Sequence, residues 1–568
     1  MTGPNLLGDR AGAVADLGLA DADAGAVIAA WRECVRRILA AVGWAEEPLW
    51  VRVFAGGASV GFAAPRDALY AATEVNEWAV AAAAARLDGT EEPSFDQAAT
   101  HLRALIEAES NPALRTLERA AECRDVAFSS DDEHVSVGLG TGARCWPAGD
   151  LPAPEAVDWE RIHDVPVALV TGTNGKTTTV RLLRAMIRAA GLVAGVSTTD
   201  WIGVGDEIVA TGDWSGPGGA RRVLRDPRVE MAVLETARGG MLRRGLAVQR
   251  AEVALITNIA EDHLGEFGVG DLQGLADAKF VVARVARHLV LNADDEVLRE
   301  RALSPDLAVG WFGLDPAAPG LRERLAAGAE ACVLDDGELV RHGAAGRETV
   351  LPVAEIPATL GGAARHNVAN AAAAVAVASA LGLSLDAVRA GLRSFANSAE
   401  ENPGRLNEFE LGGVRVLVDF AHNPHAMEPL MDLVAALPAQ RRALILGQAG
   451  DRDDAAIRAL AQVAVRAAPD RVFLKEMAEY QRGRIAGEVV QLLHEELCAS
   501  GLPPQAVQRC DSELAAARAA LSWAARGDLL LLLSHAQRPA VLALLTLLHN
   551  AGWQAGQPLP AADGRSGA

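Results

Sequence analysis

Residues 165–179, VPVALVTGTNGKTTT, hold the most specific chemistry in the chain. Five of the first six are apolar, and they run into a glycine-bounded turn and a Lys-Thr pair before the helical pattern VRLLRAMIRAAG. A buried strand, a glycine turn and a helix N-terminus together form an anion cradle. Backbone N–H groups point at phosphate, the helix dipole adds positive potential, and a lysine adds a point charge. The common phosphate loop has four residues between its glycine and the Gly-Lys pair. Here two, Thr173 and Asn174, separate Gly172 from Gly175-Lys176, so the loop is a tightened variant. Lys176 is expected to reach the β/γ-phosphates of a nucleotide, and Thr177, next to Thr178, to hold Mg²⁺.

A bound nucleotide needs further groups. Glu235 ends the apolar run MAVLE and is followed by TARGG, whose paired glycines permit close backbone approach. It is an obvious Mg²⁺ ligand or water holder. His263 follows Asn258 and Asp262 in TNIAEDHLGEFG, just past another strand pattern, and is read as a metal or phosphate contact. Only three of the 53 basic residues are lysine: Lys176, Lys279 and Lys475. Arginine has replaced lysine wherever a generic charge suffices, so each surviving lysine marks a place where guanidinium fails. Lys279 in LADAKFVVAR is read as starting a helix and pointing into the site. A partly desolvated amine there loses its proton and reacts with carbon dioxide, and the carbamate could bind a second Mg²⁺. Ordinary phosphate contact is the alternative.

These residues need elements to position them. At 568 residues the chain has room for three or four domains of roughly 150 residues each. Residues 1–160 read as an α+β domain: helical spacing over 27–42, a hairpin in WVRVFAGGASVGFA, an alanine-rich helix over 70–87 and two more helices between 96 and 122. Residues 161–397 alternate strand and helix patterns, the signature of a doubly wound parallel sheet whose ligands gather at strand carboxyl ends. A hairpin-like insert at 332–342 interrupts that order, and helices over 366–381 and 384–395 close the domain. Residues 398–552 restart the alternation as a Rossmann-like α/β domain, and 553–568 read as a disordered tail. The expected fold class is therefore multidomain α/β. No run of eighteen uncharged apolar residues and no leader pattern appears, which reads as a cytoplasmic protein without membrane association. A net charge of −21 opposes nucleic acid as a partner. The six cysteines show no Cys-x-x-Cys spacing, so neither zinc nor a disulfide framework is expected.

GTNGKTTT, LETARGG, TNIAEDHLGEFG, the lysine at 279 and LNADDE resemble the central domain of Mur-type amide ligases. GGAARHNVANAAAA, PGRLN, VDFAHNP and GQAGDRDD follow in that family's order. Within the family, STTDWIGVGDEIVATGDWSGPGGA, LETARGGMLRRGL and LKEMAEYQRGRIAGEV are similar to the Mur-like half of cyanophycin synthetases. The resemblance implies ATP and Mg²⁺, an acyl phosphate formed from an acceptor carboxylate, and its capture by an amino-acid amine with ADP as product. Thr177, Glu235, His263 and carbamylated Lys279 would hold Mg²⁺, and Asn367 would contact adenine. Arg405 and Asp419 would serve the phosphates and ribose. Asp213, Ser215, Arg238, His422, Asn423, Asp451, Arg452, Lys475, Glu476 and Arg482 would lie near the amino acid or the acidic acceptor. Some have simpler readings: Arg482 as a surface arginine, Asp451–454 as a helix cap, 213–219 as a plain loop.

Cyanophycin synthetases place an ATP-grasp domain between their N-terminal region and their Mur-like half. Here VGLGTGARCW resembles the sequence at that domain's entrance, yet a short Pro-rich linker leads straight to the Mur-like strand. The expectation is a single amide ligation or work beside a separate ATP-grasp ligase, in a homo-oligomer if the likeness extends that far. Three other readings are a folylpolyglutamate- or polyglutamate-type ligase, a nucleotide-binding Mur-like subunit, and a P-loop kinase or GTPase. The last leaves VDFAHNP and GQAGDRDD without a purpose.

Overall fold

The computed structural model describes residues 1–19, 23–262, 264–301, 307–344 and 346–560. Contacts divide the chain into two units, residues 1–351 with 369–392 and residues 352–368 with 393 onward.

The first unit opens with a small three-stranded sheet in which Gly57–Ala63 lies between Gly12–Gly18 and the hairpin strand Leu49–Phe54. The strand Gly12–Gly18 was not legible beforehand, because GAVADLG carries only two large apolar residues. The helix Ala24–Ala41 starts at Asp23, whose carboxylate accepts from the amides of Gly25 and Ala26. It buries Trp31, Cys34, Val35 and Ile38 at helical spacing. The Trp31 indole donates to Asn76 Oδ1 at 3.0 Å, and Asn76 donates to the Val60 carbonyl, tying two helices to the sheet.

The largest sheet has eleven strands among the described residues. In spatial order they are Glu207–Thr211, Trp201–Val204, Ala194–Ser197, Met231–Glu235, Val167–Thr171, Ala251–Ile256, Ala286–Asn292, Ala308–Gly313, Ala331–Asp335, Glu338–Gly343 and Gly346–Pro352. From Ala194–Ser197 to Ala331–Asp335 the neighbours run parallel. Val167–Thr171 and Met231–Glu235 are buried along their whole length, as strands covered on both faces must be. The hairpin expected at 332–342 is present, and it belongs to this sheet. Ala331–Asp335 joins Ala308–Gly313 in parallel and then turns back as a hairpin, burying Cys332 and Val333. Lys279 differs from expectation. It ends the helix Leu272–Lys279, which begins where Asp271 accepts from the Gly274 amide at 2.7 Å. Among the described residues, no helix is long and apolar enough to cross a membrane.

The second unit is built on a six-stranded sheet in the order Asn407–Leu411, Val414–Asp419, Leu529–Leu533, Arg442–Leu446, Arg471–Lys475, Val507–Cys510. All but the first strand run parallel. The stretch expected as a disordered tail is anchored at its start: Trp553 is buried in the same apolar cluster as Leu411, Val414 and Leu548. Residues 561–568 lie outside the described residues.

Lys475, expected near substrate, is turned into this unit instead. Its ammonium donates to Glu513 Oε2 at 2.5 Å and to the Leu533 carbonyl at 2.6 Å, and meets His535 Nδ1 at 2.9 Å. Its stem passes so close to Gly447 that a Cβ there would fall 2.5 Å from Lys475 Cγ. Burial lowers the Lys475 ammonium to about 8, against the pull of Glu513. Burial alone would raise the Glu513 carboxyl. The Lys475 charge and hydrogen bond, the Ser534 hydroxyl and the His535 amide outweigh it and hold the carboxyl below its ordinary value.

Two stability predictions follow from this packing. Gly391 in helix Leu385–Ser394 lies against the backbone of helix Lys176–Ala189, where a Cβ would fall 2.5 Å from Met186 Cα. Alanine gains about 1 kcal/mol of helix propensity. The backbone cannot yield as a side chain would, so overpacking of about 1–3 kcal/mol outweighs that gain. Gly391→Ala should therefore lower the calorimetric midpoint of the first unit. For the second unit, a depressed carboxyl contributes stability that is present above its unfolded pKa and is lost as pH falls through the folded one. Glu513→Gln should cost about 3–5 kcal/mol at pH 7, because it strands a buried ammonium. It should also remove the part of the acid destabilisation that the parent shows below pH 4.5.

Candidate active site

Parallel pairing sets Val170 opposite Glu235 and Thr171 opposite Ile256, so three strand ends open on one rim. The loop between Thr171 and the helix Lys176–Ala189 turns at Gly172 (φ 140°) and Gly175 (φ 86°), left-handed geometry that only glycine adopts easily. Neither position has room for a side chain. A Cβ on Gly172 would strike Thr257 Oγ1, and one on Gly175 would strike Asn370 Oδ1. The loop is laced to the next strand end. Thr257 Oγ1 donates to the Asn174 carbonyl at 2.6 Å, the Asn174 amide donates to Asn258 Oδ1 at 2.9 Å, and the Thr173 amide donates to the Asn258 carbonyl at 3.0 Å. Thr173 Oγ1 reaches the Ala260 carbonyl at 3.1 Å.

On this frame Lys176 Nζ donates to the carbonyls of Gly172 (3.0 Å) and Thr173 (2.8 Å). The Thr177 hydroxyl donates to Glu235 Oε2 at 2.9 Å, and Thr178 is buried beside it in the first helical turn. The Thr199 amide reaches the same carboxylate oxygen at 3.3 Å. Thr177 and Glu235 are thus a buried hydroxyl–carboxylate pair at the mouth of a phosphate loop, an oxygen donor set that suits Mg²⁺. His263 lies outside the described residues. Among the described residues, no three His, Cys, Asp or Glu side chains gather as a metal site.

Lys279 is buried with its amine in the field of this cluster. Burial first, then the ammonium of Lys176, push it well below the ordinary lysine value, and Arg238 adds to that push while Asp262 opposes it. Arg238 is held by Glu266 at 2.6 Å. Asp213 is exposed and turned on its own loop, accepting from the Ser215 hydroxyl at 2.7 Å and its amide at 3.0 Å. Ser215 is buried.

The second unit gathers its own expected residues at the carboxyl ends of its parallel strands. The Asp419 carboxylate, just past Val418, accepts from the amides of Leu406 and Ala421. Arg405 lies over the Phe420 ring at 4.6 Å. His422 Nδ1 meets the Phe420 carbonyl at 3.1 Å, and Gln448 donates to the His422 carbonyl. Asp451 pairs with Arg482 and, at 3.7 Å, with Arg452. Asp453 caps the helix Asp454–Ala464, so the acidic run divides between a cap and an ion pair. Asn423 caps the helix Pro424–Ala436 through the Ala426 amide, a structural task. Glu476 accepts from the Gly487 amide at 2.9 Å. Asn367 is buried and donates to the Ala358 carbonyl at 2.9 Å.

The sequence reading passed over three residues. Thr199 was visible only as part of STTD. Asn370, one helical turn past Asn367, is the asparagine that meets Gly175. Glu513, the partner of Lys475, sits in an unremarkable run, DSELAAARAA, where nothing marks it out.

Residues 170–378 match the family model described as the Mur ligase middle domain, and residues 404–535 match that of the Mur ligase, glutamate ligase domain. Over 332 residues the chain is 39% identical to a cyanophycin synthetase from Synechocystis sp., covering 58% of this chain and 38% of that protein. It therefore spans less than two-fifths of that relative's length. Over 415 residues it is 28% identical to a UDP-N-acetylmuramoyl-L-alanyl-D-glutamate–2,6-diaminopimelate ligase from Geobacter metallireducens, covering 67% of this chain and 79% of that one. A solved pseudomurein peptide ligase type C from Methanothermus fervidus aligns with a TM-score of 0.49 at 18% identity, over 68% of this chain and 79% of that one. Two successive domain matches, together more than half of the chain, fall on the strands and loops described above, and the chain belongs to the Mur ligase family.

Proposed function

We propose that the chain is an ATP-dependent, ADP-forming ligase of the cyanophycin-synthetase type that joins an amino-acid amine to the carboxylate of an amino acid or acidic peptide. The observation that carries this reading is the convergence of Lys176, Thr177 and Glu235 on one rim, with a buried Lys279 amine, its charged form disfavoured by burial, in the field of the same cluster. In this scheme the acceptor carboxylate attacks the γ-phosphorus, a P–O bond forms and ADP leaves. The amine then attacks the acyl carbon, a C–N bond forms, phosphate leaves and the amine gives up a proton. Negative charge spreads over the transferring phosphoryl group, so fixed cations and helix N–H groups aimed at it supply most of the rate. Lys176 is the compact charge for the terminal phosphates. Mg²⁺, held by Thr177 and Glu235, would neutralise phosphate charge.

We assign to Lys279 a carbamate: the neutral amine adds to carbon dioxide, a proton leaves, and a carboxylate stands where arginine could supply none. We assign Arg405, Asp419, His422, Asp451, Arg452 and Arg482 to nucleotide and amino-acid contacts. We leave Lys475 and Asn423 out of that assignment: Lys475 is bonded to Glu513 and Asn423 caps the helix Pro424–Ala436.

A screen of amino acids and short acidic peptides for ADP release, with mass spectrometry of the product, tests the reading. Release should require an acid and an amine together, whereas a kinase needs only one acceptor. Lys176→Ala and Lys279→Ala should each lower turnover about 10²-fold or more, and the parent should respond to added bicarbonate. Normal turnover in Lys279→Ala, with a parent indifferent to bicarbonate, would remove the carbamate.

A further inference from the structure

The scheme above leaves residues 1–160 without a task, yet one strand of that region grips a loop of the site. Residues 264–270 lead into the helix that ends at Lys279. The loop is tight: the Gly265 amide donates to the Val269 carbonyl at 2.8 Å, and the Val269 amide to the Glu266 carbonyl at 3.1 Å. Gly265, Phe267 and Gly268 all have positive φ (92°, 53° and 65°), and Phe267 adopts that geometry without being glycine. Such a conformation persists when its surroundings over-determine it.

The surroundings are named residues. Arg52, in the strand Leu49–Phe54, donates through Nη2 to the Gly268 carbonyl at 2.8 Å and through Nη1 to the Phe267 carbonyl at 3.4 Å. A Cβ on Gly268 would fall 2.5 Å from the Phe54 ring, so that ring closes the loop from the same strand. A Cβ on Gly274, in the Lys279 helix itself, would lie 3.6 Å from Arg52 Nη2. From the other side Glu266 holds Arg238, and Arg243 lies over the Phe267 ring at 5.2 Å. Arg238 is one of the charges that acts on Lys279.

We infer that Arg52, backed by Phe54, is a positioning residue through which the N-terminal domain fixes loop 264–270, and with it Glu266 and Arg238, around Lys279. A forked guanidinium suits two successive carbonyls, while an ammonium of similar reach can hold one well. The link to catalysis rests on the function proposed above; the link to the loop does not.

The test compares the full-length parent with Arg52→Ala, Arg52→Lys and the control Arg36→Ala. Arg36 also donates to two carbonyls, those of Ala45 and Glu47, but within its own domain. Amide hydrogen exchange over 264–280 and ADP release with saturating ATP and amine are read together. In Arg52→Ala, exchange at 265–269 should rise at least fivefold and kcat should fall at least tenfold, with the calorimetric midpoint near that of the parent. Arg52→Lys should fall between the two, and Arg36→Ala should match the parent in both readouts. Either loop exchange or kcat left at the parent value in Arg52→Ala overturns the inference. If the parent releases no ADP with any amine, the proposed function fails, and the exchange comparison still decides whether Arg52 holds the loop.

Discussion

One register governs the site. Val167–Thr171 is held between two parallel neighbours with Val170 opposite Glu235 and Thr171 opposite Ile256. Because side chains alternate along a strand, a slip of one residue would turn Glu235 to the opposite face and part it from Thr177. Burial makes that slip costly: all five residues of each of the two strands are buried, so a changed register must repack both faces at once. The phosphate loop, the carboxylate and the Asn258 turn are neighbours because the hydrophobic strands beneath them have one way to pair.

The three lysines show what an arginine-rich chain cannot delegate. Lys176 sits between two carbonyls of its own loop, a space for a compact ammonium and not for a planar fork. Lys279 is buried where its charged form is disfavoured, a condition guanidinium does not satisfy because it keeps its proton. Lys475 threads its stem past Gly447 to reach Glu513, where a wider head group would collide with the Leu533 carbonyl and His535. Scarcity of lysine therefore does point to sites of exacting geometry. It does not separate a ligand contact from a buried structural pair, and for Lys475 the second holds.

Much of the architecture was legible because it rests on short-range signals. Glycine spacing around Lys176, apolar runs ending in polar residues, and each single motif are local patterns of neighbouring residues. What was missed depends on partners far apart in sequence. Glu513 becomes meaningful only when Lys475 arrives from another strand. Asn370 becomes so only when its helix packs on Gly175, and the strand Gly12–Gly18 only when Gly57–Ala63 offers it an edge. Lys279 was placed at the wrong end of its helix because Asp271, the residue that caps it, reads like any other loop aspartate.

The lacing of the phosphate loop also restricts which groups remain for an anion. Asn258 takes the amides of Thr173 and Asn174, one through its carbonyl and one through its side chain. Those two donors are committed to holding the loop's shape. In the proposed reaction phosphate would be met by the first turn of the helix Lys176–Ala189, whose N–H groups have no intrahelical partners, and by the Lys176 ammonium. Two of that ammonium's acceptors are neutral carbonyls, so exchanging those two for phosphate oxygens would replace neutral acceptors with charged ones, and charge-assisted bonds are roughly twice as strong. The lacing would keep the loop's shape fixed during that exchange, so a nucleotide bound as proposed would need little further ordering of the loop.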